Sequence, residues 1–417
     1  MARVAIIGSG ISGATSARLL RDAGHSVVVY EKKERVGGLI GCSIESGNLF
    51  HRVGGHVFNA KNKAVSKWFW SNFDQDAEFV HAKRNAVIYL KEKFIEYPIE
   101  NHLYQLDKIT LEAALGDLLN IYAGGTSISA RNFDEFLHLN FGETLCREYF
   151  TPYNSKIWNA DLKQVPLSWL AGKLPMPNVK QILLSNIGRI EETEMVHSTF
   201  FYPTSGGSQF IIERLLDGIE IKNEECTRLY AKNKPEVNGE SFDKVVYTGD
   251  IRRLSDILTN EEPELENLQS LKSNGTTTVL CSCDTNAYSW VYLPGKQLRC
   301  HRIIMTGNFS TSNNSPDLGD SRISCTVEFM GQVDEAVIDE SLRLLPFDVK
   351  KIAVNFETNS YVIQNDDTRD VISRAKESLI RSQIWLCGRF AEWEYYNMDA
   401  AIESAMKVVQ EINESVT

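Results

Sequence analysis

Val4-Ala5-Ile6-Ile7-Gly8-Ser9-Gly10-Ile11-Ser12-Gly13, followed by Ala14, Ala17, Leu19 and Leu20 and closed by Ser26-Val27-Val28-Val29-Tyr30-Glu31, is the stretch that decides the fold. A short continuous apolar run reads as a strand buried on both faces. A G-x-G-x-x-G turn follows at once, then a helical pattern, then a second apolar strand ending at an acid. Gly8 permits the tight turn, Gly10 lets a pyrophosphate approach the backbone, and Gly13 lets the helix lie close to the sheet. The helix start, at Ser12, offers free N–H groups and a positive dipole end to phosphates. Glu31, with Lys32 beside it, ends the second strand where a carboxylate accepts from ribose hydroxyls and repels a 2′-phosphate. The continuation Glu34-Arg35-Val36-Gly37-Gly38 adds a glycine pair ending at Gly38, a habit of FAD-binding chains that favours FAD over NAD. The expected fold class is α/β, with a Rossmann-like FAD-binding domain.

The 417-residue chain is too long for one compact core. Hydrophobic content of 43% with 24% charged residues is that of an ordinary soluble globular protein. A net charge of −11 argues against a nucleic-acid surface, because there is no basic excess to neutralise phosphates. No apolar run reaches the length of a membrane span, and the first strand begins by Val4, which leaves no room for a signal peptide. A cytoplasmic setting is the expectation. The eight cysteines are scattered and Cys281 and Cys283 lack zinc spacing, so free thiols and no metal site are expected.

Beyond Gly38, Val53-Gly54-Gly55-His56-Val57 marks a place where backbone must come close to something. Residues 86–90 and 93–97 read as a hairpin. From about 103 to 195 the pattern is helical, with Asn132 as an N-cap and Glu135 at the capping-box position. Tyr149 to Trp158, dense in aromatic and polar groups, is expected to break that helical region, either as a binding surface or as an ordinary interhelical turn. Residues 199–203 and 244–248 read as strands, and a helix is expected at 210–216. The polar stretch 260–274 reads as a boundary. Strands are expected at 276–282, 290–293, 302–305, 323–330 and 351–361, with a loop at 308–320 and a helix at 334–345. Near the end, Ile384-Trp385-Leu386-Cys387 is an apolar strand, followed by Gly388-Arg389-Phe390 and a helix that starts near Met398 and Asp399. Such a helix start can face the flavin's pyrimidine edge, where negative charge accumulates on reduction. The segments group as 1–61, 196–260 and 380–417 for the FAD-binding domain, 103–195 for a helical insertion, and 62–102 with 261–379 for an antiparallel-sheet substrate domain.

Taken in order, Val53-Gly54-Gly55-His56-Val57, Tyr97-Pro98 with Asn101, Phe133-Asp134-Glu135, Pro152-Tyr153-Asn154 with Lys156 and Trp158, Pro203 with Gly206-Gly207, Trp290 with Tyr292 and Pro294, Arg302, and Gly388-Arg389-Phe390 with Trp393, Tyr395 and Asp399 resemble the FAD-dependent UDP-galactopyranose mutase family, most closely its eukaryotic branch. The family lies within the wider amine-oxidase-like flavoprotein superfamily. The resemblance covers nearly the whole chain. It implies a pyranose–furanose interconversion of a nucleotide-diphosphate sugar, redox-neutral overall but needing reduced flavin. In that chemistry flavin N5 attacks the anomeric carbon and displaces the nucleoside diphosphate, which returns after ring contraction. NAD(P)H is then the expected external reductant. The setting is cell-surface polysaccharide biosynthesis, and homo-oligomer contacts fall in the helical region.

The resemblance also implies roles. His56, with Gly55, lies beside the isoalloxazine; Arg302 binds the diphosphate, with Tyr361 and Tyr395 donating to its oxygens. Asn397 lies next to sugar and phosphate, and Arg389 packs against the flavin. Trp158, Trp290 and Tyr292 belong to the substrate cleft, and Tyr153 and Asn154 to the nucleotide base. Four positions depart from the eukaryotic pattern: Thr151 replaces an Arg, Phe309 a Tyr, Glu100 a Gln and Asn59 an aromatic. They suggest a different sugar nucleotide, with Lys156, Lys173 or Lys180 supplying the missing charge. Two other readings share the FAD fingerprint. One is an oxidase or desaturase of the amine-oxidase or porphyrinogen-oxidase type, and the other a relative that keeps FAD as a structural element.

Overall fold

The computed structural model describes residues 1–124, 129–167, 178–189, 198–231, 234–259 and 263–415. The opening strand becomes the middle of a five-stranded parallel sheet. Its order is Ile384–Leu386, Lys244–Tyr247, Arg3–Ile7, Ser26–Tyr30 and Glu220–Lys222. Alternate residues face opposite layers. Val4, Ile6, Val29, Val246 and Trp385 enter one apolar core, while Ala5, Ile7, Val28, Tyr30, Val245 and Leu386 enter another. Burial on both faces is why these strands are continuous apolar runs rather than alternating ones.

The Ile11–Asp22 and Met398–Glu414 helices pack against each other over the first of these cores. Two glycines set how closely the first helix sits on its neighbours. A Cβ on Gly13 would fall 1.9 Å from the Gly8 carbonyl oxygen, so the helix rests on the turn at a distance only glycine allows. Gly388 has φ +90°, and a Cβ there would lie 2.7 Å from the Ser12 Cβ. The turn after the last sheet strand is thereby locked onto the first helix.

A seven-stranded sheet runs Lys350–Ile363, Lys272–Asp284, Arg322–Met330, Arg302–Ile304, Trp290–Tyr292, Ala86–Leu90 and Lys93–Glu96. Every neighbouring pair is antiparallel except Trp290–Tyr292 with Ala86–Leu90, which is parallel. Across it, Ile88, Tyr292, Arg302 and Glu328 are successive register partners, and so share one face. A third body of helices, including Lys108–Gly124, Phe133–Leu145, Thr151–Trp158 and Val179–Gly188, has its own apolar core, which Trp290, Tyr292 and Phe309 join.

The structure differs from the sequence reading in four places. Tyr149 to Trp158 does not break the helical region: a π-helical turn at Cys146–Phe150 runs directly into the Thr151–Trp158 helix. Pro152 falls in the first turn, where a proline is tolerated, so its presence is no interruption. A helix at Thr368–Arg381 went unread, and the stretch read as a boundary contains a 3-10 segment at Pro263–Ser270 and the start of the long Lys272–Asp284 strand. At Phe133–Leu145 only half a capping box forms. Asn132 accepts from the Glu135 N–H at 2.9 Å, but the Glu135 carboxylate turns to Arg131. All eight cysteines are free and buried.

Gly388→Ala should therefore destabilise the chain by about 2 to 5 kcal/mol, combining a left-handed backbone penalty with overpacking against Ser12. Urea unfolding measures this; a loss under about 0.5 kcal/mol would show that the turn is not locked onto the helix.

Candidate functional site

A single cavity of about 540 Å³ runs from the glycine turn to the face of the seven-stranded sheet. Gly8, Gly10, Ser12, Glu31, Lys32 and Gly38 line one end, and Trp290, Tyr292, Arg302, Tyr361 and Tyr395 the other, with Gly55, His56, Arg389, Asn397 and Met398 also on its wall. Six candidates do not line it. Gly13 and Gly388 act behind the wall as packing positions. Asp399 lies in the first turn of the last helix, where burial pushes its carboxyl up. Tyr153 is buried behind Tyr292, with ring centroids 5.4 Å apart. The Asn154 amide donates to the Phe150 carbonyl of its own helical stretch, and Trp158 is buried in the core of the helical body.

The glycine-turn end suits a dinucleotide. Gly10 and Asn397, the residues before the two packed helices, make no side-chain cap, and both line the cavity. Two sets of helix-start N–H groups are thus available to an anionic ligand. A Cβ on Gly10 would meet nothing nearer than the Gly38 Cα at 3.8 Å, so the turn is open on that side. The Glu31 carboxylate is held by the Ser9 N–H and hydroxyl on one oxygen and by the Lys33 N–H at 2.9 Å on the other. Of about four acceptor positions on a carboxylate, about one remains for a ribose hydroxyl.

The other end is a charge network on the sheet. Glu328 is 1% exposed and accepts from Arg302 Nε and from the Gly54 N–H at 2.8 Å, with His301 Nε2 at 3.5 Å. Burial alone would push this carboxyl up, but Arg302 and His301 outweigh it and hold it well below the usual carboxylate range. The same pairing keeps Arg302 protonated against its own burial. Arg302 Nη2 reaches the Tyr361 hydroxyl at 3.4 Å, and the Tyr361 and Tyr395 rings stack with centroids 5.6 Å apart. Arg389 donates to the Ser360 and Tyr396 carbonyls and lies 4.7 Å from the Tyr395 ring centre. Its orientation is fixed by backbone and ring, not by an acid.

His56 lies between the two ends. Its Nε2 is buried and without a hydrogen-bond partner among the described residues, and burial lowers its pKa to about 3. Gly55 is pressed against Ile304, where a Cβ would fall 2.5 Å away, so the backbone here has no lateral freedom. Behind this turn, His51 Nε2 meets the Tyr202 hydroxyl at 2.6 Å, and Asn313 donates to that hydroxyl at 3.0 Å. Burial lowers the His51 pKa to about 4, and with Tyr202 donating to Nε2 the single ring proton sits on Nδ1, facing Cys42 Sγ at 3.6 Å. His51 is therefore neutral.

Two cavity-facing groups were missed. After Arg322 at its start, the Arg322–Met330 strand is apolar or small and polar except for Glu328, a buried-charge signal that needed its partner strand to be interpretable. Arg84 precedes the Ala86–Leu90 strand, donates to the Tyr292 hydroxyl, and lies 4.8 Å from the Tyr97 ring centre and 5.4 Å from that of Trp290. The four departures from the family pattern do not line this cavity. Phe309 packs beneath Gly55 and against Trp290, Asn59 donates to the Thr199 carbonyl, Glu100 is buried elsewhere, and Thr151 faces a different hollow. Lys156 donates to three carbonyls of the 293–300 loop, and Lys173 lies outside the described residues.

Comparison with known proteins follows this geometry. Residues 6–72 match the family described as an NAD(P)-binding Rossmann-like domain. The chain superposes on a crystal structure of reduced UDP-galactopyranose mutase with a TM-score of 0.87, over 99% of this chain and 96% of that one, at 18% identity. It shares the UDP-galactopyranose mutase fold. In sequence, 182 residues are 29% identical to a dTDP-fucopyranose mutase of Escherichia coli, covering 42% of this chain. The match spans 46% of that relative, less than half its length. A redesigned putrescine oxidase superposes less closely, with a TM-score of 0.68 at 12% identity over 99% of both chains. Among the described residues no group of side chains is placed to hold a metal, and no helix is long and apolar enough to cross a membrane.

The neutral His51 carries a pH signature. Burial lowers its folded pKa to about 4, against 6.5 as the ordinary value. Below pH 6.5 the unfolded chain takes up a proton that the folded chain refuses. Stability due to this group is therefore complete above pH 6.5 and falls as pH drops towards 4, by up to about 1.4 kcal/mol per pH unit. Urea unfolding of His51→Gln between pH 7 and 4.5 should show a slope shallower by that amount. An unchanged slope would place a proton on both ring nitrogens of folded His51.

Proposed function

We propose that the chain is an FAD-dependent isomerase that interconverts the pyranose and furanose forms of a nucleotide-diphosphate sugar, with NAD(P)H as electron donor. The observation that carries this reading is the joining, in one cavity, of an open dinucleotide cradle to Arg302, Tyr361 and Tyr395. A leaving diphosphate must remain bound while the sugar rearranges, and a guanidinium with two phenol hydroxyls is a suitable hold. The fold likeness to UDP-galactopyranose mutase and the partial sequence likeness to dTDP-fucopyranose mutase support it. Their names make UDP- and dTDP-linked pyranoses the first substrates to try.

Gly8 to Glu31 would hold the ADP half of FAD, with the two uncapped helix starts facing its negatively charged parts. When bound and reduced, the flavin would supply the nucleophile for the anomeric carbon. The chain's own groups bind and orient. Arg302 holds the diphosphate through the guanidinium edge that Glu328 leaves exposed. Glu328 keeps that guanidinium charged and fixes its direction through the Gly54 N–H. His56, neutral at pH 7, has an unpartnered Nε2 able to accept or donate one hydrogen bond within the cavity. Trp290 and Tyr292 wall the sugar side, and Arg84 holds the Tyr292 hydroxyl in place. An oxidase acting on an amine or carbocycle has no use for a guanidinium at the substrate end, which weighs against that alternative.

FAD-loaded protein reduced anaerobically with dithionite should convert at least one of UDP-galactopyranose or dTDP-fucopyranose to its furanose, followed by chromatography. The oxidised protein should be inactive. Arg302→Ala should lower kcat/KM by about 100-fold or more, and Tyr395→Phe by about 10-fold. No furanose from any nucleotide hexose or pentose, with an amine oxidised and O2 reduced to peroxide in a separate aerobic assay of the oxidised protein, would replace this reading by the oxidase one.

A further inference from the structure

A second hollow, of about 520 Å³, opens on the Thr151–Trp158 helix away from the dinucleotide cavity. Thr151, Ser155 and Lys156 share one face of this helix along the wall, with Asn159 just past its end, whereas Tyr153 lies off that face against Tyr292. The facing wall is the 293–300 loop, which supplies Lys296 and Arg299. Arg147 completes the rim.

The charge here runs against that of the rest of the chain. Arg147, Lys156, Lys296 and Arg299 line the hollow with a single carboxylate, Glu143, in a protein of net charge −11. Glu143 is itself engaged, with His138 Nδ1 at 3.1 Å. Lys296 and Arg299 are exposed and have no ion-pair partner among the described residues. Arg147 shares Glu148 with Lys91, so that one carboxylate serves two cations. Convergent cations on a concave wall concentrate field and attract anions.

The lining also limits what kind of anion fits. Ser155 and Asn159 line the hollow with polar groups suited to ligand hydroxyls, and beneath the surface the Thr151 hydroxyl is buried without a hydrogen-bond partner among the described residues. No Phe, Tyr or Trp lines the hollow, and the His138 ring is held between Asp134 and Glu143, so the lining offers a nucleobase little stacking surface. Lys156 donates to the carbonyls of Leu293, Gly295 and Cys300 at 2.7, 2.6 and 3.2 Å. Its three protons are committed, so it gives charge to the floor but no free donor. It also clasps the loop that joins the strand of Trp290 and Tyr292 to the strand of Arg302.

We infer that this hollow is an anion site separate from the dinucleotide cavity, and that it takes a small phosphate-bearing polyol without a base, of the sugar phosphate class, with its phosphate between Lys296 and Arg299. The site borders the loop that connects the two substrate-facing strands, so an occupant there touches the same loop that Lys156 holds.

The test is calorimetric titration of glucose 1-phosphate into the FAD-loaded full chain. Saturable binding is expected, weakened about ten-fold or more in Lys296→Glu with Arg299→Glu. It should stay within about two-fold in Arg302→Ala, which reports on the other cavity. It should also stay within about two-fold in Lys63→Glu with Lys67→Glu, two exposed lysines elsewhere that give the same change in net charge. Binding that never saturates, that survives the Lys296 and Arg299 changes, or that falls equally in either control would overturn the inference.

Discussion

Glu328 is the point on which the candidate site depends. A carboxylate 1% exposed is tolerated only because it is paired and hydrogen-bonded. Its three partners come from two segments: Arg302 on the neighbouring strand with His301 just before it, and the Gly54 N–H from the turn that carries His56. Removing the acid would leave a buried guanidinium uncompensated and a glycine N–H without an acceptor. The same carboxylate therefore fixes the direction of the Arg302 guanidinium and the path of the backbone that carries His56. A change at one of these groups is felt by the other through a single side chain.

This arrangement explains why the two sheets must be built as they are. The parallel sheet presents its glycine turns and helix starts at one end of the cavity, which is where open α/β sheets bind ligands. The second sheet presents Tyr292, Arg302 and Glu328 as cross-strand neighbours, so three side chains from three separate segments share one face. The parallel pairing of Trp290–Tyr292 with Ala86–Leu90 brings Arg84 and Tyr97 to the same end. None of these groups is close in sequence to the glycine turn that opens the chain.

That difference in range separates what was legible in the sequence from what was not. The strand, turn, helix and acid of Val4 to Glu31 are local, and each residue type there answers a backbone requirement that can be stated without the rest of the chain. Arg302, Tyr361 and Tyr395 were reached by resemblance, not by spacing. The structure places them together without testing the roles given to them. Glu328 was passed over because a lone acid in a strand has no meaning until its partner strand is known. The Thr368–Arg381 helix was missed because its few apolar positions, Val371, Ile372, Ala375 and Leu379, are set among polar residues. The aromatic stretch around Tyr153 was taken for a break because its density of aromatic and polar groups hides a helical repeat, although Pro152 is a tolerated first-turn residue. Thr151 was weighed as a loss at the substrate site, whereas it faces another hollow.

The central claim is that a bound, reduced flavin serves here as a recyclable participant in a redox-neutral rearrangement. The most direct test counts reducing equivalents against product in an anaerobic reaction of the FAD-loaded protein with a nucleotide sugar that it accepts. The account predicts many furanose molecules formed for each two-electron equivalent consumed. One equivalent consumed for every product molecule would contradict it.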